Sequence, residues 1–158
     1  MTALDAPVTD DHAPPRRIIV VGVDGSRASA TALHWALDHL VDDGGVRIVT
    51  AFAHPHSTVD VPLSYIDLYD LARDGARERA EQVIDEVLGG ASSLLVEHIV
   101  APGSIDDVIS QHAGDADMVV LGTQSRRRWR DRLRSSTTNR LTGHITVPVI
   151  SVPEARSY

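Results

Sequence analysis

Five short, largely apolar stretches constrain what this chain can fold into more than any other feature. The first, Ile18–Val23, has no polar position. A strand with one face in water alternates apolar and polar residues, whereas a strand buried on both faces is apolar throughout. The later stretches are Val46–Ala53, Leu94–Val100, Met118–Gly122 and Val147–Val152. They predict five strands of a parallel sheet that is covered on both faces.

Helical patterns lie between these stretches. Apolar residues recur at intervals of three and four over Leu33–Val41, Leu68–Leu88 and Ile105–Ala113, which is the spacing of one helix face. Ser104 is placed to cap the third helix, and a short fourth helix is predicted over Ser136–Thr142. This alternation predicts a single open five-stranded parallel sheet with helices on both faces, a Rossmann-like α/β fold. Ligands of such sheets bind beyond the carboxyl ends of the strands, where the winding reverses.

The 158 residues predict one domain between two short tails. Residues 1–15 hold three Asp and three Pro among few large apolar side chains, so we expect a disordered N-terminal tail. The domain then covers residues 16–153, and residues 154–158 form a C-terminal tail. A domain of this size buries roughly 70% of the surface that its unfolded chain exposes, enough for a core without disulfides.

The composition argues against several classes of protein. The chain has no Cys, which excludes a disulfide scaffold, a thiolate zinc site and a Cys nucleophile. No apolar run approaches the roughly 20 residues of a membrane helix, and the N-terminus lacks a signal-peptide pattern, so we expect a cytoplasmic protein. The net charge of −7 argues against general nucleic-acid binding.

The first stretch ends in Val-Gly-Val-Asp-Gly-Ser, which puts Asp24 at the carboxyl edge of the predicted sheet. A carboxylate at that edge suits a sugar hydroxyl or a metal ion. It suits equally well an Asx-turn or a cap of the helix that follows. The motif alone leaves both interpretations open.

A long segment follows the fourth stretch. It runs from Gly122–Ser125 through nine residues to Ser135–Thr138. Loops of this length inside a compact domain are often functional, and the N-terminus of the predicted fourth helix offers free N–H groups to an anion. The alternative is that these Ser and Thr residues are simply N-caps.

These motifs, in this order, resemble the universal stress protein family. The resemblance covers about residues 16–153 and includes the Val-Gly-Val-Asp-Gly-Ser opening, Pro102–Ile105, Ala116–Gly122 and Val147–Val152. It implies an adenine nucleotide alpha hydrolase-like fold, binding of ATP with or without Mg²⁺, and a homodimer formed through the last strand.

ATP-binding members of that family carry Gly-x2-Gly-x9-Gly-Ser/Thr after the fourth strand, where the glycines let the backbone approach the phosphates. Here Gly122 and Ser136 match the first and last positions, and the nine-residue spacing is kept. Ser125 and Ser135 replace the second and third glycines. A positive φ at either position would cost Ser about 1–2 kcal/mol, so we expect ATP binding to be weaker by about tenfold or more, or lost.

The resemblance also implies a set of nucleotide-binding residues. Asp24 would face the ribose or a metal ion on the phosphates, and the small Ala51 would leave a loose slot for the adenine. The complete implied set is Gly22, Val23, Asp24, Ala51, Leu121, Gly122, Gln124, Ser125, Ser135, Ser136 and Thr137.

The nine residues Arg126–Arg134 concentrate positive charge. Six Arg and Asp131 give them a net charge of +5, against −12 for the rest of the chain. Arginine forks beside a phosphate site would clamp phosphate oxygens, and Trp129 would stack on a base. We favour the alternative, in which Trp129 and Leu133 pack inward while the arginines are solvated or paired with acids. A nucleic-acid site is less favoured still, because one loop is a small footprint.

The sequence contains no Ser-His-Asp pattern and no paired carboxylates, and His54 and His56 have no carboxylate at a spacing typical of a metal site. We therefore expect at most weak ATP hydrolysis. The leading hypothesis is a universal stress-type regulatory protein that binds ATP or a related adenine nucleotide at the carboxyl ends of strands 1 and 4. The alternative is a nucleotide-free dimeric interaction module that acts through protein partners. An ATP-using ligase ranks last, because the chain leaves little room for a second substrate.

Overall fold

The computed structural model describes residues 17–41, 43–55, 65–90, 94–124 and 145–154. In chain order, the described elements are β1 (Ile18–Gly22), α1 (Arg27–Asp38), β2 (Gly45–Phe52), α2 (Tyr65–Leu88), β3 (Leu95–Pro102), α3 (Ile105–His112), β4 (Met118–Thr123) and β5 (Val149–Pro153). The predicted fourth helix and the N-terminal tail lie outside the described residues, and the domain boundaries stay predictions.

The five strands form one sheet in the order β3-β2-β1-β4-β5, and every neighbouring pair is parallel. The predicted five-stranded parallel sheet is therefore confirmed. β1 is central: it pairs with β2 from Ile18 opposite Gly45, and with β4 from Ile19 opposite Met118. From β1 the chain winds outward through β2 to β3 and then returns to β4 and β5, so the winding reverses between β1 and β4.

Two apolar clusters cover the two faces of the sheet. Val21 and Ile48 face α1 and α2, where Leu33 is fully buried. Val20 of β1 lies in the cluster on the other face, with Ile109 of α3, and both are fully buried. Successive residues of a central strand thus bury their side chains on opposite faces, which explains why β1 has no polar position.

The first helix begins and ends earlier than its apolar spacing predicts. Its N-cap is Ser26, and it ends at Asp38, although the pattern continues to Val41. Leu40 still packs against the core from beyond the helix, whereas the Val41 side chain is 51% exposed. The apolar residues Leu40 and Val41 therefore belong to a turn after the helix, which packs the Leu40 side chain against the core.

The last strand is shorter than predicted because of its proline. Pro148 has no N–H for the ladder, but its carbonyl accepts a hydrogen bond from the Val119 N–H at 2.8 Å. The strand itself begins at Val149, two residues later than the predicted start at Val147.

The third helix begins where its cap was predicted. The Ser104 side chain accepts a hydrogen bond from the Asp107 N–H at 3.2 Å, which satisfies one of the free donors of the first turn. Within the described part of the chain, no helix is both long and apolar enough to cross a membrane.

Candidate functional site

The point where the winding reverses brings together two exits from the sheet. β1 leads into Asp24 and β4 leads into Gln124, and both of these residues are exposed. In doubly wound sheets such a reversal is where ligands bind, so the carboxyl ends of β1 and β4, here called the crevice, are the candidate site. The structure thus brings Asp24, Gly122 and Gln124 to one edge, and Ala51 lies one strand away in β2.

The turn that follows β1, here called the β1 exit loop (Val23–Ser26), holds Asp24 in a defined position. The Ser26 N–H donates to Asp24 Oδ1 at 2.9 Å, which is an Asx-turn, and Gly25 has a φ of 89°. Ser26, not Asp24, caps α1, because its Oγ accepts from the Ser29 N–H at 3.2 Å. A carboxylate has about four acceptor positions and the Asx-turn uses one, so the turn leaves Asp24 able to bind a ligand.

The Asp24 carboxyl is ionised at neutral pH. Desolvation by the surrounding loop raises its pKa, but hydrogen bonds from Ser26 and Ser29 together lower the pKa by more. The net pKa therefore lies below the ordinary value. An anionic carboxylate repels a phosphate placed directly against it, whereas it accepts hydrogen bonds from sugar hydroxyls and binds cations. The charge at this position therefore favours a ribose or a metal ion over a bare phosphate.

At Gly122 the first turn of α1 lies directly against the end of β4. A Cβ at this position would overlap the carbonyl group of Ala28 and lie 2.9 Å from Ser29 N. Only glycine lets the first turn of α1 rest against the end of β4. The family resemblance places Gly122 in a phosphate cradle, whereas the structure gives it a packing role. That contact joins segments distant in sequence, so no local sequence pattern reveals it.

The other described members of the implied set lie in or beside the core at this edge of the sheet. Val23 is 1% exposed and Leu121 is 8% exposed, so their side chains belong to the core. A Cβ on Gly22 would lie 2.7 Å from Leu121 Cδ2, which shows how closely this edge is packed. Ala51 is half-buried against the cluster under α3. Ser125, Ser135, Ser136 and Thr137 lie outside the described residues.

An aromatic cluster that the sequence analysis missed flanks the end of β2. The Phe52 and Tyr69 rings meet edge to face with centroids 5.2 Å apart, and the His54 ring lies 6.2 Å from that of Tyr69. His54 thus lies near the carboxyl edge, as predicted, but its neighbour is an aromatic ring of α2. The described residues contain no group of three or more His, Asp or Glu arranged to hold a metal ion.

A cavity of about 250 Å³ opens between α1 and α2. Arg27, His34, Glu86 and Glu154 are among its lining residues, and the Arg27 guanidinium lies 3.5 Å from the Glu154 carboxylate. Two carboxylates against one arginine, which is already paired with Glu154, leave the lining net negative and unfavourable for a phosphate. The crevice at β1 and β4 is therefore the stronger candidate for an anionic ligand that carries a sugar.

A sequence model of the universal stress protein family matches residues 15–153. The chain belongs to the universal stress protein family. Universal stress protein Rv2624c of Mycobacterium tuberculosis is 27% identical over 139 residues, which are 86% of this chain and 48% of that protein. The chain thus spans about half the length of the curated relatives that it matches.

Solved universal stress proteins share the fold. A family member from Arabidopsis thaliana, crystallised with AMP bound, is 17% identical with a TM-score of 0.59, and the match covers 88% of this chain and 92% of that one. The universal stress protein from Archaeoglobus fulgidus in complex with dAMP is 19% identical with a TM-score of 0.55, and that match covers 87% and 98%. At these identities the likeness establishes the Rossmann-like universal stress protein fold.

Proposed function

We propose that this universal stress protein binds an adenine nucleotide in the crevice at the carboxyl ends of β1 and β4 and acts as a nucleotide-responsive regulator. The observation that carries the proposal is the exposed, ionised Asp24 at the reversal of winding. That position is where ligands bind in doubly wound sheets. The AMP and dAMP complexes of the solved family members support adenine nucleotides as the ligand class.

Each part of the nucleotide has a proposed partner. Asp24 accepts hydrogen bonds from the ribose hydroxyls, and Ala51 borders the adenine. The hydroxyls and N–H groups of the segment after β4 hold the phosphates; these are the implied residues Ser125, Ser135, Ser136 and Thr137. Where ATP is the ligand, Mg²⁺ neutralises phosphate charge, and an ionised carboxylate such as Asp24 is a suitable oxygen donor for it.

The regulatory part of the proposal rests on the edge of the sheet. β5 is the last strand in the sheet order, and an edge strand is a ready template for pairing with a second copy. We propose a cytoplasmic homodimer through β5 whose contacts with protein partners change when the nucleotide binds. The proposal includes no catalytic step.

A nucleotide-free interaction module of the same fold is the second candidate. Ser125 and Ser135 favour it, because they stand where ATP-binding relatives have glycine. In that case the protein acts through protein–protein contacts, including those at the β5 edge, and the crevice no longer binds a nucleotide.

Calorimetry on purified, tag-free protein separates the two candidates. AMP and ATP–Mg²⁺ are titrated into the natural chain, into Asp24→Asn, and into Ser125→Gly/Ser135→Gly. The Asn variant keeps the acceptor of the Asx-turn but removes the charge. Asp38→Asn is the matched control, because Asp38 is an exposed aspartate at the opposite end of α1.

The proposal predicts micromolar binding to the natural chain and to the Asp38 control. A charged hydrogen bond contributes about 1 kcal/mol more than a neutral one, so Asp24→Asn should bind about fivefold more weakly. The glycine variant should bind about tenfold more tightly to ATP. No heat with the natural chain, but binding by the glycine variant, would favour the interaction module. No binding by either would refute a nucleotide site in this crevice.

A further inference from the structure

A buried hydroxyl lies directly behind the β1 exit loop. Thr50 of β2 is 1% exposed and is, with Ser29, one of two buried polar residues in the part of the chain that the structure describes. Its Oγ1 lies 2.8 Å from the carbonyl oxygen of Val23 and 2.9 Å from Nε2 of His98 on β3. Three neighbouring strands are thereby connected through side chains at the level where β1 ends.

This hydrogen-bond chain (His98–Thr50–Val23) ends at a carbonyl oxygen, and that end determines which atom donates each hydrogen. A carbonyl oxygen only accepts, so the hydroxyl hydrogen of Thr50 is donated to Val23 O. The hydroxyl has no second hydrogen, so His98 Nε2 carries a proton and donates to Thr50 Oγ1. His98 therefore orients the hydroxyl, and the hydroxyl holds the carbonyl.

The peptide that leads into Asp24 is fixed on both sides of Val23. The Val23 N–H donates to Val49 O at 2.9 Å, and the Val23 carbonyl accepts from Thr50. That carbonyl belongs to the peptide plane shared with Asp24, so rotation of the plane would break the Thr50 bond and swing the start of the Asx-turn. A buried carbonyl that loses its hydrogen-bond partner destabilises the fold, which makes this rotation unfavourable.

The surroundings of His98 fit a fixed donor better than a surface group. The ring is half-buried on the outer strand β3, and burial lowers its pKa, with Glu81 acting to raise it and Arg77 acting to lower it. Both of those residues belong to α2. A neutral ring protonated at Nε2 supplies the one hydrogen that the chain requires.

We propose that Thr50, oriented by His98, is a positioning residue of the nucleotide site, which aims the Asp24 carboxylate at the ligand by fixing the Val23–Asp24 peptide. This inference rests on the proposed function, because it assigns Asp24 the ligand contact. It adds two residues, on β2 and β3, that do not touch the nucleotide but determine how tightly it binds.

A double-mutant cycle tests the inference with AMP as the probe. Thr50→Val removes the hydroxyl and keeps the shape, Thr50→Ser keeps the hydroxyl, and Asp24→Ala removes the group that is positioned. His98→Gln retains an N–H donor near the Nε2 position, whereas His98→Leu does not. Calorimetry gives the AMP affinity of each variant, and urea unfolding gives its stability.

The expected result is a loss of AMP affinity of about threefold to tenfold in Thr50→Val, equivalent to one hydrogen bond. Thr50→Ser and His98→Gln should bind nearly as well as the natural chain, whereas His98→Leu should bind more weakly. In the Asp24→Ala background Thr50→Val should have no further effect. Equal losses in both backgrounds, or a loss of stability with unchanged affinity, would overturn the inference and leave Thr50 a purely structural residue.

A ligand-free measurement separates this inference from the proposed function. The Hα–Hβ couplings of Asp24, measured by NMR, report its side-chain rotamer without nucleotide. Thr50→Val should broaden the rotamer distribution, and Thr50→Ser should preserve it. If the natural chain binds no AMP, the proposed function fails, while a changed rotamer in Thr50→Val still establishes the positioning of Asp24. An unchanged rotamer overturns the positioning whether or not AMP binds.

Discussion

Replacing Gly122 by alanine tests the close contact between α1 and β4. The added Cβ would overlap the Ala28 carbonyl and lie 2.9 Å from Ser29 N. Both are backbone groups, so no change of rotamer relieves the overlap, and the first turn of α1 must move away from β4. Ala28 and Ala32 are buried at 3% and 0% exposure, so this movement also opens the packing between α1 and the sheet.

The expected cost of Gly122→Ala follows from that geometry. Overpacking a core typically costs 1–3 kcal/mol, and a rigid backbone neighbour puts this site at the upper end, about 3 kcal/mol. For a domain of this length, that corresponds to a fall in melting temperature of about 6–12 °C. Urea unfolding followed by far-ultraviolet circular dichroism measures the change in the free energy of unfolding.

Gly114→Ala is the matched control for this measurement. A Cβ on Gly114 meets nothing within 4 Å and its φ is not in the left-handed region, so stability should stay the same or rise by up to about 1 kcal/mol. If Gly122→Ala unfolds at the same urea concentration as the natural chain, the close approach of α1 to β4 is refuted.

Three further variants test individual contacts by the same unfolding assay. Ser26→Ala removes the N-cap of α1 and should cost about 1 kcal/mol; no change would contradict the cap. Arg47 Nε and Nη1 lie 2.6 Å from Glu97 and Asp115 carboxylates that are themselves exposed, so Arg47→Met should cost about 1 kcal/mol, and the difference should shrink in 1 M salt. A salt-independent difference would argue against the ion pairs. Because the pKa of His98 is lower in the folded chain than in the unfolded chain, the unfolded chain binds a proton at higher pH than the folded chain does. The free energy of unfolding should therefore fall as the pH drops below 6.5. His98→Gln should show a smaller fall between about pH 7 and pH 5, and an identical pH profile would refute the burial of the ring.

Most of the fold could be predicted because its strands are buried on both faces. The continuous apolar stretch of β1 and the helical spacing of α3 each have one structural interpretation, and both elements form as predicted. The ends of the helices and strands were harder to predict. Apolar residues continue to Val41, beyond the end of α1 at Asp38, because the turn after the helix still packs the partly buried Leu40 against the core.

The candidate site was predictable only where residues follow a strand directly. Asp24 could be placed at the carboxyl edge because the end of a strand determines its position. The contact of Gly122 with Ala28 and the Thr50–His98 hydrogen bond join segments far apart in the chain. Such contacts depend on strand order and on the distance between layers, neither of which leaves a periodic trace in the sequence.

Titration of AMP into ¹⁵N-labelled protein, followed through the backbone amide signals, tests the central claim most directly. If an adenine nucleotide binds where β1 and β4 end, the amides of Asp24, Ala51 and Gly122 shift as AMP is added. The amides of Gly45 and Asp117 lie at the opposite, amino edge of the sheet and should stay unchanged. Absence of shifts at millimolar AMP, or shifts confined to the amino edge, would contradict the account.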